Sequence, residues 1–178
     1  MRWKPPADSV TPSHDRPTPR SGLAARPEHE AWMRMALAVA AEAAASSDVP
    51  VGALVIDSEG TVRGIGHNVR EAVHDPTGHA EVVALRAAAA NLGRWRLDGT
   101  VLVVTLEPCV MCTGAAVAAR VDGIVFGAWD DKAGACGSVW DLARDRASLH
   151  RPEVTAGVLA GECAQLLTDF FAQHRGED

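Results

Sequence analysis

Two short stretches carry the residues that could do chemistry: His79-Ala80-Glu81 and, thirty residues later, Pro108-Cys109-Val110-Met111-Cys112. A working zinc site takes three protein ligands and keeps a fourth position for water. One imidazole and two thiols meet that need, so His79, Cys109 and Cys112 are the candidate ligands of one Zn2+ per chain. Glu81, two residues past the histidine, is left over and can reach the water without binding the ion. A structural zinc site would close its shell with a fourth Cys or His. Cys136 and Cys163 are available in number but lie in no paired spacing, and each reads as a small buried residue.

Zinc brings the pKa of its bound water to about 7 and so generates hydroxide at neutral pH. Hydroxide can attack a ring carbon bearing an exocyclic amine. A carboxylate free of the metal, as Glu81 is by position, can take the water proton, deliver it to the ring nitrogen and assist ammonia departure. This is hydrolytic deamination, and H-x-E…P-C-x-x-C is the arrangement that zinc-dependent nucleobase deaminases use. The ligand residues do not say which ring is attacked.

Each ligand stretch is expected to open a helix. Free N–H groups and the helix dipole at such a start favour negative charge, which lowers a Cys pKa toward the metal-binding thiolate. Residues 79–92 are rich in Ala with Val83, Leu85 and Leu92 on apolar positions, and Gly93 is placed to cap the end. Cys109 to Arg120 is the next helix, with Pro108 holding its entry rigid and Gly114, Ala115, Ala116, Ala118 and Ala119 suiting close packing. Between them, Thr100-Val101-Leu102-Val103-Val104-Thr105 reads as a buried strand.

Upstream, Trp32, Met35, Ala36, Val39 and Ala43 recur at helical steps from Glu28 to about Ala45. Strands at 49–56 and 61–68 then flank the hairpin loop Asp57-Ser58-Glu59-Gly60, and His74-Asp75-Pro76-Thr77-Gly78 is a turn-rich lead into His79. Downstream come a strand from Val121 to Phe126, a loop-rich stretch 127–152 with at most a short helix near Trp140, a short strand at Val154 and a helix from Gly161 to His174. Strands alternating with helices imply an α/β sandwich with helices on both faces of the sheet.

At 178 residues the chain is expected to hold one domain, and 47% hydrophobic with 22% charged residues is ordinary for a soluble protein. The apolar stretches are cut by charges such as Glu42 and Arg86, so a membrane span is not expected, and neither is a signal peptide; the default compartment is the cytoplasm. Prolines at 5, 6, 12, 17, 19 and 27 make residues 1–27 a flexible tail, leaving 28–178 as the domain. Net charge is −6; five basic residues against two acids give residues 1–26 a charge of +3, so the body carries −9. An acidic body gives no compositional argument for a nucleic-acid partner, although a local basic stripe would suffice.

The chain resembles the bacterial tRNA-specific adenosine deaminases, zinc enzymes that convert wobble adenosine to inosine. The likeness covers about residues 28–175. It rests on Trp32-Met33-Arg34, Val49-Pro50-Val51-Gly52-Ala53, Asn68, Asp75-Pro76-Thr77-Gly78-His79-Ala80-Glu81 and Thr105-Leu106-Glu107-Pro108-Cys109-Val110-Met111-Cys112. Val125-Phe126-Gly127-Ala128, Gly134, Gly137-Ser138, Leu166-Leu167 and Phe170-Phe171 extend it.

The resemblance implies a cytidine deaminase-like, three-layer α/β/α sandwich on a mixed sheet of about five strands. It implies zinc on His79, Cys109 and Cys112, with Glu81 as proton shuttle for attack at C6. It gives Asn68 a hydrogen bond to the flipped base, Ala80 a backbone contact in the pocket and Asp130 a place near the target sugar. It also implies a homodimer that binds a tRNA anticodon stem-loop. Trp129 stands where relatives often have Arg, and its ring could stack on a base or serve loop or dimer packing. The last residues, Phe170 to Asp178, carry one Arg and two acids where relatives often end basic.

The main rival is a free-base deaminase of the same fold acting on guanine or cytosine, which shares the zinc motif and Asp-Pro-Thr. Val110 and the 127–138 loop favour the tRNA enzyme. A bifunctional deaminase-reductase would need a reductase domain, and an RNA-binding module with dead catalysis would need Glu81 or a ligand lost.

Overall fold

The computed structural model describes residues 25–44 and 47–174. In chain order these form α1 (Pro27–Ala44), β1 (Gly52–Asp57), β2 (Val62–His67), α2 (Arg70–Val73), α3 (Ala80–Leu92) and β3 (Thr100–Leu106). There follow α4 (Val110–Ala119), β4 (Gly123–Ala128), a 3-10 turn (Leu142–Arg144), β5 (Glu153–Thr155) and α5 (Ala160–His174). The tail expected over 1–27 lies outside the described residues except for its last three, as do the terminal residues 175–178. Proline's fixed φ suits Pro27 to the first position of α1.

The strands make one sheet in the order β2-β1-β3-β4-β5. β1 is antiparallel to both neighbours, whereas β3, β4 and β5 are parallel. Period-two alternation assigns each strand side chain to a layer. Ala53, Val55, Leu102, Val104, Ile124 and Phe126 pack with Ala80, Ala84 and Ala88 of α3 and Ala116 of α4. Leu54, Ile56, Val103 and Val125 pack with Met33 and Ala36 of α1 and Cys163 of α5. The result is the expected three-layer sandwich on a mixed sheet. Burial of a single large side chain such as Phe126, fully enclosed here, contributes about 1.5–3 kcal/mol.

The layers approach closely because small residues face one another. A Cβ added at Gly66 of β2 would collide with the backbone of α3 at Ala80, and one at Gly64 with the same helix at Ala84. Gly66→Ala is therefore expected to destabilise the protein by about 2–3 kcal/mol through overpacking. Urea unfolding followed by circular dichroism reads this, and an unchanged midpoint would contradict so close a contact.

Strand direction places the chemistry. Because β1 is antiparallel, its start lies beside the end of β2 (Gly52 opposite His67) and the end of β3 (Ala53 opposite Val104). The segments leaving β2, β3 and β4 therefore emerge on one rim, the crevice outside the carboxyl ends of parallel strands where α/β sheets bind ligands.

Two local differences from the sequence reading have clear causes. β4 runs two residues later than expected, because Arg120 adopts a left-handed conformation (φ 66°) and the Val121 amide closes α4 on Ala116 O at 3.3 Å. The strand then continues through Gly127 to pair Ala128 with Leu106. α2 was not expected at all. It buries no side chain, and its start is held by a distant residue: Asp48 accepts the Glu71 and Ala72 amides at 2.9 and 3.1 Å.

Candidate metal centre and active site

His79 and Cys109 occupy equivalent positions, each the extended residue before the first turn of α3 and α4 respectively. Their carbonyls accept the first helical bonds, from Val83 and Thr113, at 3.0 and 2.8 Å. The Asp75-Pro76-Thr77 turn fixes the approach to His79: Asp75 Oδ1 accepts both the amide and the hydroxyl of Thr77, and the His79 amide bonds to Thr77 O. Cys112 lies in the first turn of α4 and is fully buried. His79 Nδ1 stands 3.7 Å from Cys109 Sγ and 3.5 Å from Cys112 Sγ.

Ligands bound to a tetrahedral zinc at its usual N and S distances would stand about 3.5–3.8 Å apart. The donor set therefore fits zinc. Among the described residues, these three form the cluster of metal-capable donors, all within 4.8 Å of one another. Cys136 and Cys163 stay apart from it; both are buried, and burial pushes their thiols up to about 12 and about 11.

The donors are strongly coupled. Hydrogen bonding from Cys112, and then His79, holds the Cys109 thiol down to about 4, so a thiolate is ready. The buried Cys112 thiol, facing that charge, is pushed far up, and His79 is raised by its contact with Cys109. A divalent cation takes both thiols as thiolates and relieves this sharing of protons. Glu81, 4% exposed, sits in the first turn of α3; burial, aided by the charge on Cys109, pushes it up to about 7.

His79, Glu81 and Cys109 line a cavity of about 520 Å³. Its walls come from the rim: Val49 and Val51 before β1, Asn68 after β2, Leu106 and Glu107 at the end of β3, and Asp130 and Ala133 after β4. Phe170 and Phe171 of α5 complete it, packed edge to face with centroids 5.4 Å apart.

The structure brings most of the expected site residues together. The Asn68 side chain donates to Val49 O at 3.0 Å and accepts the Ala80 amide at 3.1 Å, so the Ala80 N–H serves to hold Asn68. Asp130 Oδ1 accepts the amides of Lys132 and Ala133 at 2.9 and 3.2 Å. Trp129 does not line the cavity. Its ring meets Phe126 edge to face at 4.8 Å, which favours the packing role over stacking on a base inside the site.

Sequence reading gave no role to Asp48 or Glu107, both buried and both lining the cavity. For Glu107 a signal existed: an acid closing an apolar strand, just before a Pro-Cys ligand motif.

Together the sheet rim, the His/Cys/Cys donors and the unligated buried Glu81 define a zinc-dependent deaminase site. Residues 26–128 match the cytidine and deoxycytidylate deaminase zinc-binding region. The chain belongs to this family of zinc enzymes, and its identity to curated relatives, 38–46% over 83% of its length, puts it among the tRNA-specific adenosine deaminases.

The tRNA-specific adenosine deaminase of Haemophilus influenzae is 46% identical over 148 residues, 83% of this chain and 86% of its own. A tRNA(Ile)-lysidine synthase of Deinococcus radiodurans is 51% identical over 154 residues, 86% of this chain but only 26% of that longer protein. Among solved structures, a tRNA:A34 deaminase studied for A-to-I editing at the wobble position superposes with a TM-score of 0.73 at 36% identity, covering 76% of this chain and 98% of its own. A guanine deaminase from Nitrosomonas europaea superposes with a TM-score of 0.68 at 28% identity, covering 88% and 90%.

Proposed function

We propose that this protein deaminates the wobble adenosine of a tRNA anticodon loop to inosine. The observation that carries the reading is a buried carboxylate and a zinc-competent donor set at the floor of a cavity whose rim is built from four separate segments. Close similarity to tRNA-specific adenosine deaminases over most of both chains supports it.

Zinc held by His79, Cys109 and Cys112 would supply hydroxide at neutral pH. Glu81 accepts the proton released from water, passes it to N1 of the purine and then assists loss of the amine from C6. Burial suits Glu81 to this exchange, since a carboxyl raised into the neutral range can both take and give a proton. Asn68, held by Val49 and Ala80, retains an amide N–H and a lone pair to meet the purine edge. Asp130 keeps Oδ2 for a sugar hydroxyl while Oδ1 fixes its own loop. Phe171, half exposed at the rim, offers a ring face to a flanking base. Flipping the adenosine out of its loop costs a few kcal/mol of unstacking, which such contacts must offset.

Residues 28–178 form the catalytic domain in this reading, working in the cytoplasm as a homodimer that engages the anticodon stem-loop. No helix among the described residues is long and apolar enough to cross a membrane. The test is inosine formation on an anticodon stem-loop with adenosine at the wobble position, run beside free guanine and free cytosine. Inosine in the stem-loop and no ammonia from either base is expected. Ammonia from guanine with an untouched stem-loop would replace the reading with that of a free-base deaminase.

A further inference from the structure

We propose that Glu107 is the positioning residue for the substrate-facing wall of the cavity, its buried carboxylate holding the 130–138 loop against the segment that carries Cys109. Glu107 leaves the end of β3 and is 2% exposed. Its Oε1 accepts the amides of Cys136 and Ser138 at 2.9 and 3.1 Å, and its Oε2 accepts the amide of Asp130 at 3.1 Å. One carboxylate thus gathers both ends of the loop.

The loop is shaped to receive it. Gly134 lies so close that a Cβ there would collide with Glu107 Oε2 and Ser138 Oγ. Around this centre, the Ala135 amide donates to Pro108 O at 2.8 Å and the Ser138 hydroxyl to Asp130 O at 2.8 Å. Asp130 and Ala133 line the cavity, so the reach of the Glu107 side chain sets how far Asp130 stands from the metal donors. A buried carboxylate solvated by amides is costly to assemble, and its use here is to lock an irregular loop that its own apolar content would leave loose. Glu107 acts through the loop, and its effect on substrate rests on the functional reading above.

Glu107→Gln separates the contacts. The amide oxygen can keep the two bonds at the Oε1 position, whereas the NH2 group faces the Asp130 amide and cannot accept from it. Hydrogen exchange at the Asp130 amide should quicken by about tenfold or more, with Cys136 and Ser138 changed far less. KM for the anticodon stem-loop should rise about tenfold, with kcat within about threefold and zinc content unchanged. Gly134→Ala, which presses on the same carboxylate from the loop side, should raise KM in the same direction.

Unchanged exchange at Asp130 would overturn the proposal. So would a fall in kcat at constant KM, or loss of zinc, either of which would place the role at the metal. If the parent protein makes no inosine, the functional reading fails by itself, and the amide exchange still decides whether Glu107 positions the loop.

Discussion

Glu81→Gln is expected to lower kcat for inosine formation by about 10³–10⁴-fold, the upper range for loss of a general acid and base. The substitution keeps the shape of a side chain that is 4% exposed and packed in the first turn of α3, so the fold should survive. It also keeps a side chain able to hydrogen-bond Cys112, as Glu81 does, so the His79, Cys109 and Cys112 donors should stay in place. What it removes is a group able to hold a proton between two transfers. Because the contacts assigned to Asn68, Asp130 and Phe171 are untouched, KM should stay within about threefold. Zinc content, measured by atomic absorption, should remain one ion per chain. A variant that retains more than about a tenth of parental kcat would remove Glu81 from the chemistry, since no single-step proton transfer of this kind is that dispensable. Lost zinc would instead make Glu81 part of the metal site.

How much of this was legible in the sequence depends on where each determinant lies along the chain. The zinc ligands could be read because their information is local: His79 and Glu81 share one turn, as do Cys109 and Cys112, and each pair opens a helix. The elements α1, α3 and β3 were legible for the same reason, since periodicity and an unbroken apolar run need no distant partner. The left-handed cap at Gly93, φ 64°, was visible as a glycine at the end of an alanine-rich run. α2 was not, because its first amides are satisfied by Asp48 from before β1.

The start of β4 was misplaced because Arg120, a residue with no intrinsic preference for positive φ, takes the left-handed turn there. Glu107 could be seen but not interpreted. Nothing in its neighbours says that amides 23 to 31 residues downstream converge on it. The indole of Trp129 is open by type to stacking on a base or to packing, and its edge-to-face contact with Phe126, three residues back, favours packing. Residue type foretold chemistry where ligands sit in sequence clusters, and missed it at Glu107 and Asp48, whose partners lie 23 or more residues away.

Removing zinc should abolish deamination while leaving a folded protein whose Tm is lower by about 5–10 °C. Small zinc domains unfold without metal because the ion is most of their core. Here the donors ride on the starts of α3 and α4, and both helices are anchored by a separate apolar layer that includes Ala84, Ala88, Ala116, Leu102 and Phe126. The donor separations already match a tetrahedral ion, so binding needs little rearrangement. Its contribution to stability is then a linkage term of a few kcal/mol, fixed by affinity and free zinc. For a chain of this size each kcal/mol moves Tm by about 2–4 °C, which gives the stated range. Dialysis against a chelator, followed by far-ultraviolet circular dichroism and a thermal scan, measures the shift, and adding back zinc should restore inosine formation in full. Loss of the helical signal at 25 °C on chelation would mean that the α3 and α4 starts are held by the metal and not by the sheet. Retained activity after complete zinc removal would sink the hydrolytic zinc mechanism itself, because hydroxide at neutral pH is what the ion would supply there.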